Sequence, residues 1–436
     1  PGQLPFIVLR RKTGSHSGRF LPMKKLLLAG ALALARAQRP GQLPFIVLRR
    51  KTGSHSGRFL PMKKLLLAGA LAACGGAAQA QTPTPADTAA TAAAPATAPA
   101  AAPGPLTYYG FVDAYYGFDF NHDNTNARPY FLYAHNRQNE FAVNNAVLGA
   151  RYDDGRVRGS VALHAGTYVS ANYATEDPVL QHIYEAYAGF RPFKKAWLDL
   201  GIFASHIGFE SALSKDNWTL TRSIMAENSP YYESGARFTY EVGPRLTLTG
   251  LVLNGWQNIR ETNQGKALGT QIQWRPTAKI LVNSSTFYGN EQPQDSLKRR
   301  RYFHNFFVTY AATERLNLAL VFDVGKQQSA GHHGYDSWHT GSAFVKYKLA
   351  EQFSTTLRGE YYYAQRGVFI NGISPGLTDA DFKAGGTSLN LDYLPTANVT
   401  FRVEGRYLRA QNAIFQHDGG PSRNYGNLTT SVALSF

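Results

Sequence analysis

The stretch that decides the fold is RVRGSVALHAGTY, residues 156–168. Its apolar residues recur at every second position, as at Val157 and Val161. The positions between them are mostly polar, as at Arg158 and His164. Successive side chains of a β-strand point to opposite faces, so this alternation predicts a strand with one apolar and one polar face.

The same alternation recurs from residue 106 to residue 436, without a convincing helical stripe. We count sixteen such blocks. Their lengths match the roughly nine to eleven residues that a tilted strand needs to cross a bilayer. The predicted strands are 107–119, 140–152, 156–168, 180–191, 196–208, 231–242, 245–256, 266–275, 278–290, 301–312, 315–328, 336–349, 353–366, 385–394, 397–409 and 424–436.

The links between these blocks alternate in length. After each even-numbered block the link is short and rich in Gly, Pro, Asp and Thr, as hairpin turns require. After each odd-numbered block it is longer and polar, and the longest links are 120–139, 209–230 and 367–384. This pattern predicts an all-β fold: a transmembrane antiparallel up-and-down β-barrel of about sixteen strands, with short periplasmic turns and long extracellular loops.

Soluble all-β folds explain the pattern less well. Strands of a sandwich are usually nearer five or six residues. A propeller would show a repeat near forty residues, and none is visible. Because a backbone in lipid must pair its polar groups internally, only helices and closed barrels cross a membrane, and the strand pattern favours the barrel.

The first hundred residues do not read as folded protein. Residues 1–33 recur without change as 40–72, and we assign 1–61 to a duplicated leader or start-site artefact. Residues 62–80 have a positive end, an apolar run and an Ala-Gln-Ala site, the plan of a cleaved signal peptide. A lipoprotein-type cleavage before Cys74 is the alternative.

The predicted mature chain then has two parts. Residues 81–105 are almost entirely Ala, Pro and Thr, which predicts a disordered spacer, and residues 106–436 form the barrel. Cys74 is the only cysteine, so no disulfide and no thiolate metal site is expected.

The basic charge of the chain belongs mostly to the leader. The whole sequence has 45 Lys and Arg against 29 Asp and Glu, for a net charge of +16. Residues 1–80 hold 14 of the basic residues and no acidic one, which leaves a net charge of +2 for the rest. The charge therefore does not indicate a nucleic-acid partner, which would need a basic face on the folded domain.

Aromatic residues lie near both ends of the predicted strands, as Trp197 and Trp274 do at the short turns and Trp256 and Trp338 do at the long loops. Two aromatic belts at the membrane interfaces are expected of such barrels. The terminal Phe436 ends an amphipathic strand and looks like the signal that barrel-assembly machinery recognises.

Several stretches resemble one family, the β-barrel porins of Bacteroidota outer membranes that are described as OmpL-like. The most specific are SHIGFESA at 205–212, DNWTLTRS at 216–223 and AENSPYYESG at 226–235. The resemblance covers essentially all of 106–436. It implies an outer-membrane barrel with channel function, and it says more about the fold than about the solute.

A barrel of sixteen strands encloses a lumen wide enough for water, so its polar face must point inward. The charged residues on that face are predicted to line the pore, and they could also form ion pairs that only stiffen the wall. They are Arg158, Glu185, Arg237, Arg358, Glu360, Asp392, Arg402, Glu404 and Arg406.

The long link 209–230 is the candidate constriction. In general porins the corresponding loop folds inward and narrows the pore, and we favour that arrangement over an external flap. Its charged residues are mixed in sign, which would orient dipolar solutes and set a weak selectivity. They are Glu210, Lys215, Asp216, Arg222 and Glu227.

Signals for catalysis and metal binding are weak. The sequence contains no His-Glu-x-x-His and no phosphate loop, so no enzyme, cofactor or metal is expected. The histidines His332, His333 and His339 fall in a predicted external loop. The basic run 299–301 would lie at the outer rim, either solvated or paired with lipopolysaccharide phosphates.

Three functions remain open. The leading hypothesis is a porin-type channel of the outer membrane for passive diffusion of small hydrophilic solutes. The second is a non-conducting barrel that acts as a receptor, adhesin or structural protein, and the third is an outer-membrane hydrolase. The expected partners are membrane lipid, lipopolysaccharide, the assembly machinery and small solutes, and a homotrimer is one candidate assembly.

Overall fold

The computed structural model describes residues 105–122, 125–370 and 380–436. The duplicated leader, the predicted signal peptide with Cys74, and nearly all of the predicted spacer lie outside these residues.

The described chain is built from sixteen long strands and a small hairpin. The long strands are β1 Leu106–Asp119, β2 Phe141–Asp153, β3 Val157–Ala165, β4 Ile183–Phe190, β5 Ala196–Ala204, β6 Tyr232–Gly243, β7 Leu246–Leu253, β8 Ala267–Thr277, β9 Ile280–Asn290, β10 Arg300–Ala311, β11 Leu316–Gln328, β12 Tyr335–Ala350, β13 Phe353–Ala364, β14 Phe382–Thr396, β15 Val399–Ala410 and β18 Asn424–Ser435. The hairpin is β16 Phe415–His417 with β17 Gly420–Ser422.

Each long strand pairs antiparallel with its neighbours in the chain, and β18 pairs with both β15 and β1, so the sheet closes on itself. Closure leaves no strand edge unpaired, which is what lipid demands of a spanning sheet. The predicted antiparallel barrel of sixteen strands is confirmed.

The alternation in the sequence becomes an alternation of surfaces. Along β3 the apolar Val161 and Leu163 are exposed on the outer face, while Ser160 and His164 are buried inside. Along β11 Leu320 and Phe322 repeat the outward pattern. The exterior is therefore an apolar band suited to acyl chains, and the interior is polar.

Aromatic residues are exposed on the outer face near both ends of the strands, although some of the predicted belt members face inward. At the short-turn ends Tyr108, Trp274 and Tyr310 are exposed on the outer face, as predicted. At the long-loop ends Trp256 and Trp338 are buried inside the molecule instead. For these two residues the prediction was wrong, because both pack against Phe303 inside the barrel. Tyr288, which was also predicted near the long loops, is exposed on the outer face as expected.

The loops carry small elements that the alternation did not predict. Helix α1 spans Thr167–Asn172, helix α2 spans Ile224–Glu227, and the β16–β17 hairpin lies in the last loop. Within the described ranges, no helix is long and apolar enough to cross a membrane.

The two ends of the barrel sequence meet at a seam between β1 and β18. The backbone of Phe436 exchanges hydrogen bonds of 2.9 and 3.0 Å with Gly110. A Cβ atom at position 110 would lie 2.2 Å from the Phe436 ring, so only glycine leaves space for that ring. Phe436 thus belongs to the last pairing that closes the barrel. Its role as an assembly signal stays a prediction.

Candidate functional site

The link between β5 and β6, residues 205–231, lies inside the barrel, and we call it the inserted segment. Nearly all of its residues are buried. Phe209 packs against Phe307 and Phe344 on one side of the lumen. Leu213 packs in a cluster with Phe111 on the opposite side. The segment therefore spans the lumen, as favoured from the sequence for 209–230, and is not an external flap.

The inserted segment holds its own shape through side-chain hydrogen bonds. Ser223 caps helix α2 by accepting a hydrogen bond of 3.2 Å from the Ala226 N–H. The buried Glu210 carboxylate accepts hydrogen bonds from the backbone N–H and the hydroxyl of Ser223. Asn217 bridges the N–H and the carbonyl oxygen of Ser211 at 2.6 and 2.9 Å. Such local bonding makes the segment an ordered element rather than a loose loop.

Burial raises the pKa of Glu210, although Arg358 and Ser223 oppose the shift. Glu210 Oε1 lies 3.9 Å from Nη1 of Arg358, which is a long contact for an ion pair. The carboxyl group at the centre of the lumen is therefore more easily protonated than an exposed one.

The charged residues predicted on β13, β14 and β15 all face the lumen, and the inserted segment covers them. We call this set the covered wall. Its members are Arg358, Glu360, Asp392, Arg402, Glu404 and Arg406.

Arg358 is the centre of the covered wall, with a side chain that is 0% exposed. It donates hydrogen bonds to the Thr219 hydroxyl at 2.9 Å, to the Thr221 carbonyl at 2.6 Å and to Glu404 at 2.9 Å. Glu404 in turn accepts hydrogen bonds from the backbone N–H and the hydroxyl of Thr221. A buried pair with these extra bonds fixes the segment to the wall.

The other members of the covered wall repeat this arrangement. Arg402 pairs with Asp392 at 2.8 Å and donates to the Asn217 carbonyl at 2.9 Å. Glu360 pairs with Arg406 at 2.8 Å and accepts a hydrogen bond of 2.7 Å from the Ile224 N–H. These side chains were predicted either to line the pore or to form ion pairs that stiffen the wall. Their burial and pairing agree with the second arrangement, and they also anchor the segment.

Of the charged residues predicted on the segment itself, two more are buried. Arg222 lies between the rings of Tyr168 and Tyr231, 4.4 and 4.0 Å from their centroids, and 3.6 Å from Glu227. Burial alone would lower the pKa of Arg222, but the two rings and Glu227 outweigh it and raise the pKa, so the charge is retained. Glu227 also accepts hydrogen bonds from the N–H groups of residues 133 and 134, which ties the first long loop to the segment.

Lys215 and Asp216 differ from the rest of the segment. They pair with each other at 2.6 Å, and their side chains are 36% and 31% exposed. They are the predicted segment charges that solvent in the lumen reaches most easily.

A second set of charges lies on β2 to β6, in the half of the barrel near the short turns. We call Arg151, Arg158, Glu185, Asp199 and Arg237 the basic wall. Its predicted members are Arg158, Glu185 and Arg237, and the alternation also places Arg151 and Asp199 on the lumen face. The same alternation that predicted Arg158 could therefore have identified both.

In the basic wall two arginines share one buried carboxylate. Arg158 and Arg237 approach Asp199 at 2.6 and 3.0 Å. Arg158 also lies 4.3 Å from the Trp197 ring centroid. Trp197 therefore faces inward, not toward lipid as predicted.

Arg151 lies at the edge of this wall. It is 3.4 Å from Glu185, and its side chain is 52% exposed. With three arginines against two carboxylates, the basic wall carries an excess of positive charge toward the remaining lumen.

His206 anchors the start of the inserted segment to the side of the barrel away from the covered wall. Its ring nitrogens lie 2.9 Å from Glu233 and 2.9 Å from the Thr286 carbonyl oxygen. Gly269 gives the ring space, since a Cβ there would lie 2.7 Å from it. Burial alone would lower the pKa of His206, but the charge of Glu233 and these hydrogen bonds raise it.

Sequence reasoning did not single out His206, and the only signal was its place in the family-like run 205–212. His339, by contrast, was expected in a loop but lies on the outward face of β12. Within the described ranges, no group of three or more His, Cys, Asp or Glu could hold a metal ion.

A closed sixteen-stranded barrel with an apolar exterior, a charged lumen and an inward loop defines an outer-membrane channel of the porin class. The chain belongs to the family described as "putative beta-barrel porin-2, OmpL-like", whose sequence profile matches residues 105–436. The protein is thus a porin-type channel of the outer membrane. Among curated proteins, none matches the sequence significantly.

Solved structures share the fold at low sequence identity. The outer membrane channel DcaP of Acinetobacter baumannii has a TM-score of 0.52 and 11% identity, over 76% of this chain and 97% of that one. OmpT of Vibrio cholerae gives 0.51 and 9%, over 76% and 97%. An anion-selective porin from Comamonas acidovorans gives 0.50 and 8%, over 76% and 99%.

Proposed function

We propose that the channel passes small hydrophilic solutes by passive diffusion, along the basic wall and past the inserted segment. The observation that carries this proposal is a difference in exposure. The Arg151 side chain on the basic wall is 52% exposed, whereas Arg358 on the covered wall is 0% exposed. Solvent therefore reaches the basic wall at Arg151 and does not reach Arg358 on the covered wall.

We propose that the passage beside the segment is narrow. A cavity of about 20 Å³ lies between the segment and strands β4 and β5, lined by Tyr184, Ser205, Glu210 and Tyr231 among others. That volume holds about one water molecule. We expect a small conductance and a low size limit for solutes.

Conductance measurements test the proposal. The full chain, purified in detergent, is added to planar bilayers in potassium chloride, and discrete small steps with a preference for chloride are expected. Liposome swelling with sugars of rising size then gives the size limit. Arg151→Glu should reduce the chloride preference, whereas Lys194→Glu in a periplasmic turn makes the same charge change away from the lumen wall and should not. Absence of steps from folded barrels would contradict the proposal.

A non-conducting barrel is the second candidate, because the inserted segment spans the lumen and is tied down by buried ion pairs. In that case the native protein shows no steps, and weakening the covered wall with Arg358→Met opens a conductance. The same bilayer experiment therefore separates the two functions.

The remaining predictions are also proposals. We propose that the barrel has no catalytic role, which a lipid-release assay on the purified protein tests. A homotrimer is proposed as the assembly, with light scattering in detergent as its test. Mass spectrometry of the mature protein tests cleavage after Ala80, which would leave 81–105 as the spacer and 106–436 as the barrel. Binding to lipopolysaccharide and to the assembly machinery is tested by co-purification.

A further inference from the structure

A second polar site lies at the extracellular mouth, separate from the two walls. The loops that follow β7, β9, β11 and β13 enclose an open cavity of about 760 Å³. This is the size of a typical small-molecule site. The side chains used in the argument below are Trp256, Arg299, Arg301, Gln327, Arg366 and Phe369.

Arg301 is the most constrained of these side chains. It faces inward near the outer end of β10, and donates two hydrogen bonds to the Gln327 amide oxygen at 2.9 and 2.6 Å. Its guanidinium lies 4.2 Å from the Phe369 ring centroid and 5.2 Å from that of Trp256. The sequence predicted the run 299–301 at the outer rim, and for Arg301 that prediction was wrong, since the side chain points into the cavity.

The cations of the cavity exceed its anions. Arg299, Arg301 and Arg366 face Glu291 and Asp336, and Asp336 is already paired with Arg366. Glu291 lies 4.0 Å from Arg301. Burial raises the pKa of Glu291 against the effect of Arg301, so this carboxyl compensates the arginines less than an exposed one would. Its Oε1 atom accepts no hydrogen bond from the described residues.

The aromatic rings do not offer a stacking surface. The Arg301 guanidinium already covers Phe369 and Trp256, and the Trp256 ring packs edge-on against Phe287 and Phe303. The rings therefore orient Arg301 rather than bind an apolar solute. The amides around it, such as Gln292 and Gln327, suit hydroxyl groups.

We propose that this cavity binds a small hydroxylated solute with an oxyanion, a carboxylate or a phosphate, and that Arg301 is the principal contact. Guanidinium groups bind both oxyanions through paired hydrogen bonds. As a step in transport the site rests on the proposed channel function, whereas binding itself does not require conduction.

Equilibrium binding to the full chain in detergent tests the proposal. The probes are glucose, glucuronate and glucose 6-phosphate, and calorimetry at low ionic strength measures the binding of each. Saturable binding of one or both anions, and none of glucose, is expected. Binding of glucuronate alone identifies carboxylates as the class, and binding of glucose 6-phosphate alone identifies phosphates.

Arg301→Gln should weaken anion binding by about tenfold or more, because it removes a charge-assisted contact worth about 1.5 kcal/mol or more. Arg300→Gln is the matched control, since the neighbouring Arg300 is exposed on the outer face and should leave the affinity unchanged. If Arg301→Gln does not fold, Arg366→Gln replaces it. Equal binding of glucose, no binding of either anion, or full affinity in Arg301→Gln in the folded state overturns the proposal.

Bilayer recordings keep this result separate from the channel function. Binding in detergent without any conductance would contradict the proposed channel function and support the binding site. Conductance without binding would contradict the proposed binding site and support the channel function.

Discussion

The covered wall and the basic wall are built from the same kinds of side chain and differ in what lies over them. Both carry alternating arginines and carboxylates on lumen-facing positions of neighbouring strands. Arg358 donates to the inserted segment and is out of reach of solvent, whereas Arg151 remains about half exposed. Similar rows of charge thus serve as an anchor on one side and as a candidate filter on the other.

The difference teaches that burial decides what a charged row does. A buried pair that loses one partner leaves an uncompensated charge, which costs stability. An exposed pair contributes little stability but still shapes the field that a passing ion meets. Substitutions on the covered wall should therefore change stability first, and those on the basic wall should change selectivity first.

The largest effect is expected for Arg358→Met. It leaves Glu404 buried without its cation and should lower the free energy of unfolding by about 3 to 5 kcal/mol. Urea unfolding in detergent measures the loss. The double variant Arg358→Met with Glu404→Gln removes the stranded charge and should recover part of it. A loss below that of Arg151→Ala would remove the distinction between the walls.

His206→Gln should cost less, about 1 to 3 kcal/mol, because Glu233 keeps one hydrogen-bonding partner in place of a cation. Glu233 raises the pKa of His206 in the folded protein. The protonated His206 therefore stabilises the fold fully below the ordinary imidazole pKa of 6.5, and this stabilisation is lost as pH rises through the raised value. Unfolding midpoints measured from pH 6 to pH 9 should therefore fall in the wild type. The variant should lack this component, and an unchanged pH profile would contradict the role of His206.

Trp197→Leu tests the packing beneath the basic wall. It removes the ring that lies 4.3 Å from Arg158 and 4.5 Å from Arg191, contacts worth about 0.5 to 1 kcal/mol each. A small loss of stability together with altered ion selectivity is expected. Trp274→Leu, at the same level but facing lipid, should leave the selectivity measured by reversal potential unchanged.

Arg151→Ala should have the smallest effect on stability, at most about 1 kcal/mol, because Arg151 is about half exposed and its contact with the buried Glu185 is long, at 3.4 Å. Glu185 also keeps the hydrogen bond from the Tyr109 hydroxyl. It should nevertheless move the reversal potential in a salt gradient toward cations. A stability loss as large as that of Arg358→Met would contradict the proposed difference between the two walls.

The alternation of side chains made most of the barrel predictable. Strand β9 was predicted at 278–290 and spans Ile280–Asn290, and β13 was predicted at 353–366 and spans Phe353–Ala364. A period of two also fixes which side chains face the lumen, because a shift by one residue would turn the apolar face inward. The inward direction of Arg358 followed from this rule.

The contacts across the lumen could not be predicted from this alternation. Glu404 accepts its hydrogen bonds from Thr221, which is 183 residues away in the sequence. No local pattern encodes such a contact, so the sequence could not separate an anchor from a pore lining. Two predicted members of the outer aromatic belt face inward for a related reason: Trp338 and Trp256 lie at or just beyond strand ends, where packing inside the barrel competes with lipid.

The seam between β1 and β18 has a consequence for biogenesis. Phe111 pairs with Ser435, so the cylinder shuts only when residues more than three hundred positions apart are brought together. Contacts so distant in the chain form late and slowly. A polypeptide without its final strand would present two unpaired edges to the bilayer, so we expect β18 to be required for stable insertion.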